Sequence, residues 1–256
     1  MATALKVSDL CKTYVINKRQ NNVLKNVSFS IEEGEMVAIM GPSGSGKSTL
    51  LYSVSGMDRP TAGCVELDGV AITELNNVDL ADARLNKMGF IFQQMHMLKN
   101  LTIMDNILLP AYQAAGKSKR TKQEINDYCR ELMRKLSISD IADHDITEVS
   151  GGQLQRACIC RGMINNPKIL FADEPTGALN RSNSEDVMEE LNRLNEEGTT
   201  IMLVTHDSKV AAKCSRILYI VDGNISGELS LGKNTADSDM KERRRKVSQW
   251  LNDMGW

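Results

Sequence analysis

The chain has 256 residues, 41% of them hydrophobic and 25% charged, which fits a globular protein of one or two domains with a sizeable core. A net charge of −2 excludes a global field that would draw it to nucleic acid or acidic lipid. No basic stretch followed by an apolar run marks the N-terminus, and runs such as ILYIV (217–221) are far shorter than the roughly 20 residues that span a bilayer. Work at a membrane would therefore go through a partner. Six cysteines, at 11, 64, 129, 158, 160 and 214, form no CxxC pair and read as reduced thiols of a cytoplasmic protein.

In the first 35 residues, LKVSDL and VLKNVSFSI alternate as short strands and EEGE makes a turn. MVAIM (36–40) has no polar face and predicts a strand covered on both sides. KSTLLYSVSG comes next as a helix closed by Gly56, then DRPTAGCVELDG as turn, strand and turn. GFIFQ (89–93) is a second buried strand. GKSKRTK reads as a polar loop. TKQEINDYCRELMRKL then carries a capping box, Thr121 with Glu124, and one apolar face of Ile125, Tyr128, Cys129, Leu132, Met133 and Leu136. Residues 94–165 thus form a mostly helical insert within an α/β domain spanning 1–230. KILFADE (168–174) is a strand, SNSEDVMEELNRLNEEG a helix boxed by Ser182 and Glu185 and stopped by Gly198, TTIMLVTHD a strand, and RILYIVDGNISGE a strand–turn–strand. Strands alternating with helices predict a mainly parallel sheet. The remainder, 231–256, is a charged tail with Val247, Trp250, Leu251 and Met254 at helical spacing. That stripe suits either docking on its own domain or a partner contact.

Residues 41–48, GPSGSGKS, match G-x-x-x-x-G-K-[ST]. Successive N–H groups must curl around phosphate oxygens, which glycine does cheaply, and the following helix aims its N-terminus at the anion. Gly41, Pro42, Ser43, Gly44, Ser45, Gly46, Lys47, Ser48 and Thr49 are the nucleotide-binding candidates. Lys47 brings charge to the β- and γ-phosphates, and the Ser48 hydroxyl suits Mg²⁺. A plain glycine-rich turn has no use for either side chain. The second half of a Mg²⁺ site is an acid at a neighbouring strand end. Asp173 supplies it, and Glu174, one residue on, is placed to act as general base.

VSGGQ (149–153) opens a second helix with Ser150, Gly151, Gly152 and Gln153. One nucleotide needs one cradle per chain, so a second cradle suggests a nucleotide held by another copy.

These motifs, in this order, resemble the ATP-binding cassette of an ABC transporter over residues 4–228, which implies a P-loop α/β fold with an antiparallel β subdomain and a helical subdomain. By that resemblance GPSGSGKS is the Walker A loop, GFIFQ ends in the Q-loop glutamine Gln93, VSGGQ is the signature with Val149 where leucine is usual, ILFADE is Walker B, and LVTHD carries the switch histidine His206. Tyr14 falls where such proteins stack a ring on adenine, though an edge-strand aromatic would read alike. His96 and His144 lack such context and read as structural. The resemblance implies ATP and Mg²⁺ (Ser48, Gln93 and Asp173 towards the metal), catalysis by Glu174, His206, Gln93 and Lys47, and a head-to-tail dimer in which Ser150 and Gly152 grip the partner's γ-phosphate. GALN puts Asn180 where the D-loop usually has aspartate.

GMDRPTAG, LTIMDNILLP and ADEPTGALN are similar to the macrolide-exporter and lipoprotein-release branch, and WLNDMGW to its bacitracin- and lantibiotic-resistance members. That branch implies a separate FtsX-like permease, a position on the inner face of the cell membrane and, in resistance systems, a sensor kinase. Two readings result: an ATPase powering antimicrobial-peptide resistance, or a regulatory cassette driving cell-wall hydrolases or a sensor. A soluble repair or translation cassette is disfavoured, since neither long coiled coils nor a second cassette is present.

Overall fold

Alternating burial along four apolar strands builds the molecule as layers about one sheet. The computed structural model describes residues 2–116, 120–235 and 238–256. In β3 (Met36–Met40), Met36, Ala38 and Met40 join one core while Val37 and Ile39 join another on the opposite face. β7 (Ile169–Asp173), β8 (Ile201–Val204) and β9 (Arg216–Val221) divide their side chains in the same way. Strands apolar on both faces require cover on both, which is the parallel-sheet condition.

The chain enters through two 14-residue antiparallel strands, β1 (Thr3–Ile16) and β2 (Arg19–Glu32). They are longer than the short strands expected because bulges let the ladder bend and continue. After β3 come α1 (Lys47–Val54), β4 (Ala62–Leu67) and β5 (Val70–Ala71). β2-β1-β4-β5 form an antiparallel sheet. α2 (Asn77–Lys87) leads into β6 (Met88–Phe92), and then comes the helical stretch with α3 (Ile103–Ala114), α4 (Lys122–Lys135) and α5 (Gly151–Met163). The Thr121–Glu124 box caps α4 as its sequence requires. The middle of the expected polar loop, 117–119, lies outside the described residues.

The larger sheet has the order β10-β9-β3-β8-β7-β6, parallel except for β10 (Asn224–Ser230) at its edge. α6 (Arg181–Glu196) and α7 (Ser208–Ala211) connect its strands. The cap of α6 is Asn180, whose side chain accepts from the Asn183 amide, and not the expected Ser182. Asn180 stands at the boundary with extended dihedrals, whereas Ser182 is already inside the helix. The tail forms α8 (Met240–Asp253), which docks on the chain's own body: Val247 and Leu251 are buried, with Trp250 and Met254 against the same core. No helix among the described residues is long and apolar enough to cross a membrane.

Candidate nucleotide site

Parallel strands deliver the loops at their carboxyl ends to one edge. Ile39 and Asp173 each lie beside Val204, and Phe92 lies beside Asp173. The loop after β3, Glu174 after β7, His206 after β8 and Gln93 after β6 therefore meet there, where open α/β sheets place ligands.

The loop at 41–46 is built on positive φ at Gly41 (152°), Gly44 (78°) and Gly46 (102°). At Gly41 a Cβ would stand 2.1 Å from the Ile220 carbonyl oxygen, so no other residue passes there. Lys47 Nζ donates to the Gly41 and Pro42 carbonyls at 2.8 Å each. Burial draws its pKa down, against the opposing pull of Glu174 and Asp173. Among the described α-helices, α1 alone has no side chain capping its first amides. Those donors face outward for an anion. The Ser45 hydroxyl is buried without a partner in the same loop.

Ser48 Oγ donates to Asp173 Oδ1 at 3.1 Å, and Tyr52 Oη donates to Asp173 Oδ2 at 2.8 Å. Burial and that carboxylate push the Tyr52 phenol up to about 12. Tyr52 carries no motif signal, although it lies four residues after Ser48 on one helix face. A hydroxyl beside a carboxylate is an oxygen-donor pair suited to Mg²⁺.

Glu174 adopts a left-handed φ of 47°, a cost that persists only where its surroundings demand it. His206 Nδ1 lies 3.1 Å from Glu174 Oε1. A carboxylate oxygen accepts in such a contact, so the proton between them sits on Nδ1. Gln93 is exposed beside Glu174, since a Cβ on Gly177 would meet both side chains at 3.0 and 3.1 Å. A cavity of about 530 Å³ runs along Gly41, Pro42, Ser43 and Lys47 to Glu174 and His206.

Tyr14 is half-buried beside Lys12, whose ammonium sits 4.8 Å from its ring centre, and donates to Asp58 Oδ2 at 2.6 Å. Lys12 also pairs with Asp58. No spacing rule predicts the Asp58 contact, which joins residues 44 apart in the chain. His96 packs edge-on to Phe92.

Ser150, Gly151, Gly152 and Gln153 take no part in lining that cavity. Ser150 caps α5 reciprocally with Gln153, and Ser150 and Gly151 are exposed. Gly152 is buried where a Cβ would approach Asn183 Cγ at 2.8 Å, so this glycine also serves packing.

A phosphate loop leading into an uncapped helix, with two acidic residues at the end of β7, two places along the sheet, defines a P-loop nucleoside triphosphatase. The family model described as "ABC transporter" matches residues 24–177. The chain is 42% identical over 234 residues, 90% of its length and all of the relative's, to the protein described as "Uncharacterized ABC transporter ATP-binding protein YknY" of Bacillus subtilis (strain 168). A solved structure, the dimeric structure of MJ0796, a bacterial ABC transporter cassette, matches with a TM-score of 0.82 at 39% identity, covering 89% of this chain and 98% of that one. A second, the dimeric post-hydrolysis state of that cassette bound to ADP and Pi, matches with a TM-score of 0.81 at 38% identity and the same coverage. The chain belongs to the ABC transporter family, as an ATP-binding, ATP-hydrolysing cassette.

Proposed function

We propose that this chain hydrolyses ATP in a head-to-tail dimer and so drives a separate membrane permease. The observation that carries the reading is Glu174, held in a left-handed conformation against His206 at the end of the Lys47 cavity.

Lys47 moves from its carbonyl partners to the β- and γ-phosphates, and the loop and α1 amides take the remaining oxygens. Tyr14 supports the adenine. Glu174 Oε accepts a proton from the attacking water as its oxygen bonds to the γ-phosphorus, and ADP leaves with the electrons of the broken P–O bond. His206 donates to Glu174, which fixes the base, and turns Nε2 to the phosphate compartment. Ser48, Asp173 and Gln93 fit Mg²⁺, which would supply charge neutralisation to the phosphates. The Ser150 hydroxyl accepts from the Gln153 amide and keeps its own proton to donate to the γ-phosphate of the other copy's ATP, alongside the Gly151 and Gly152 amides. The dimeric assembly of the MJ0796 cassette supports this arrangement. Loss of the γ-phosphate removes the bridge and shifts the pair towards the open state.

In this reading residues 94–165 form the signature-bearing subdomain of a cassette spanning 1–230, with 231–256 appended. A mostly apolar groove of about 620 Å³, lined among others by Met57, Phe90, Phe92, Leu109 and Arg161, is the seat for an FtsX-like permease. The cassette then sits at the inner face of the membrane. The work is expulsion or detachment of antimicrobial peptides of the bacitracin or lantibiotic type, with a sensor kinase reached through the permease. The sequence likeness of 56–63, 101–110, 172–180 and the tail supports this branch.

Glu174→Gln tests the chemistry. Phosphate release falls at least about a hundredfold while ATP still binds; turnover at the parent rate means that another group is the base. Chelating divalent metal with EDTA abolishes turnover in the parent. Co-purification with a permease tests the partner: recovery of the cassette from detergent extracts without any polytopic membrane protein contradicts it.

A further inference from the structure

The cavity beside the phosphate loop has a wall that the catalytic reading does not use. Besides Lys47, Glu174 and His206 it is lined by Tyr219, Gly255 and Trp256. Trp256 is 45% exposed, an apolar ring set against a polar, anion-directed compartment.

Three features hold it there. First, α8 is riveted to the body by Arg243. That residue is 7% exposed, and its guanidinium donates to the carbonyls of Ala212, Cys214, Leu231 and Gly232. Second, α8 ends in a Schellman closure. The Trp256 amide donates to the Leu251 carbonyl at 2.9 Å and the Gly255 amide to that of Asn252 at 3.1 Å, with Gly255 at φ 81°. This turn reverses the chain and sets the direction of the Trp256 side chain. Third, Trp256 and Trp250 each meet the ring of buried Tyr219 edge-on, at 5.9 and 6.0 Å between centres. Tyr219 pairs with Met40, the residue before the phosphate loop. The aromatic cluster is thus built on the strand beside the one that carries the loop.

We propose that Trp256 is a positioning residue of the ATPase site, its indole walling the compartment that receives the γ-phosphate. It rests on the ATPase reading above. Water exclusion strengthens electrostatic contacts within such a site and restricts the attacking water to the one held by Glu174 and His206. The adenine end, at Tyr14, is left untouched, so the wall acts on the chemical step more than on affinity.

The chain has two tryptophans, so Trp250→Phe leaves Trp256 as the sole indole reporter. With Mg²⁺ and saturating amounts of a non-hydrolysable ATP analogue, its emission changes; ADP, lacking the γ-phosphate, gives a smaller change. Calorimetry measures nucleotide binding independently. In the parent background, Trp256→Ala lowers kcat about fivefold with KM for ATP within about twofold, and Trp256→Phe restores most of the loss. The proposal is overturned by saturation in the calorimeter with static emission, by equal responses to the analogue and ADP, or by a kcat that does not fall; each leaves the ATPase reading standing. Failure of the parent protein to bind either nucleotide sinks that reading, and this one with it.

Discussion

Arg243→Met isolates what holds the C-terminal helix. The parent guanidinium makes five hydrogen bonds to four carbonyls, and no carboxylate pairs with it among the described residues. Burial lowers its pKa, although guanidinium remains charged at neutral pH. Each bond from a charged donor contributes about 1.5–3 kcal/mol net. Two terms cut the sum. Burying the cation costs several kcal/mol, and methionine retains the apolar stem without that penalty. The carbonyls of Leu231 and Gly232 also lie on a partly exposed segment, where water replaces the lost donors. About 3 kcal/mol remains, carried mainly by the buried Ala212 and Cys214 carbonyls. Native-state hydrogen exchange reads this locally: α8 amides exchange roughly a hundredfold faster, while those of β3 and β8 keep their protection. Exchange in α8 within about threefold of the parent would refute the assignment, leaving the Val247 and Leu251 contacts as the anchor.

Asn180→Asp keeps the α6 cap, since a carboxylate accepts from the Asn183 amide and suits the helix dipole. Thermal stability holds or rises, by about 0.3–1 kcal/mol at most; turnover moves more than ATP affinity, and equal shifts in both contradict a coupling role for this loop. Burial raises the Asp58 pKa, but hydrogen bonds from Lys12 and Tyr14 outweigh it and hold the group below its ordinary value. Its contribution is complete above the unfolded pKa of about 4 and is lost as pH falls through the lower folded value. Asp58→Asn therefore flattens the acid limb of a melting-temperature profile; a parallel limb in the variant is the contrary result.

Local chemistry was legible and packing between segments distant in the sequence was not. GPSGSGKS announces its loop because glycine dihedrals, a lysine and a hydroxyl are needed together within eight residues. MVAIM announces a strand covered on both faces because no residue in it tolerates water. Ser182 and Glu185 matched a capping box, yet Asn180 took the cap because the chain reaches α6 already extended there. Gly152 read as an anion-binding glycine, and its approach to Asn183 shows a packing demand that no spacing rule contains. Ser150→Ala is thus the cleaner probe of the signature turn, at a capping cost of about 1 kcal/mol. The placing of Trp256 beside the phosphate loop was invisible for the same reason: it depends on Arg243 meeting four carbonyls from two distant segments.

The claim on which the account turns is that ATP joins two copies of this chain. Light scattering on Glu174→Gln measures it directly. With Mg²⁺-ATP the mass doubles from the 28.4 kDa of one chain, and it returns to that value when Ser150 is also replaced by a bulky acid. A variant that saturates with ATP, one per chain, and still scatters as 28.4 kDa contradicts it.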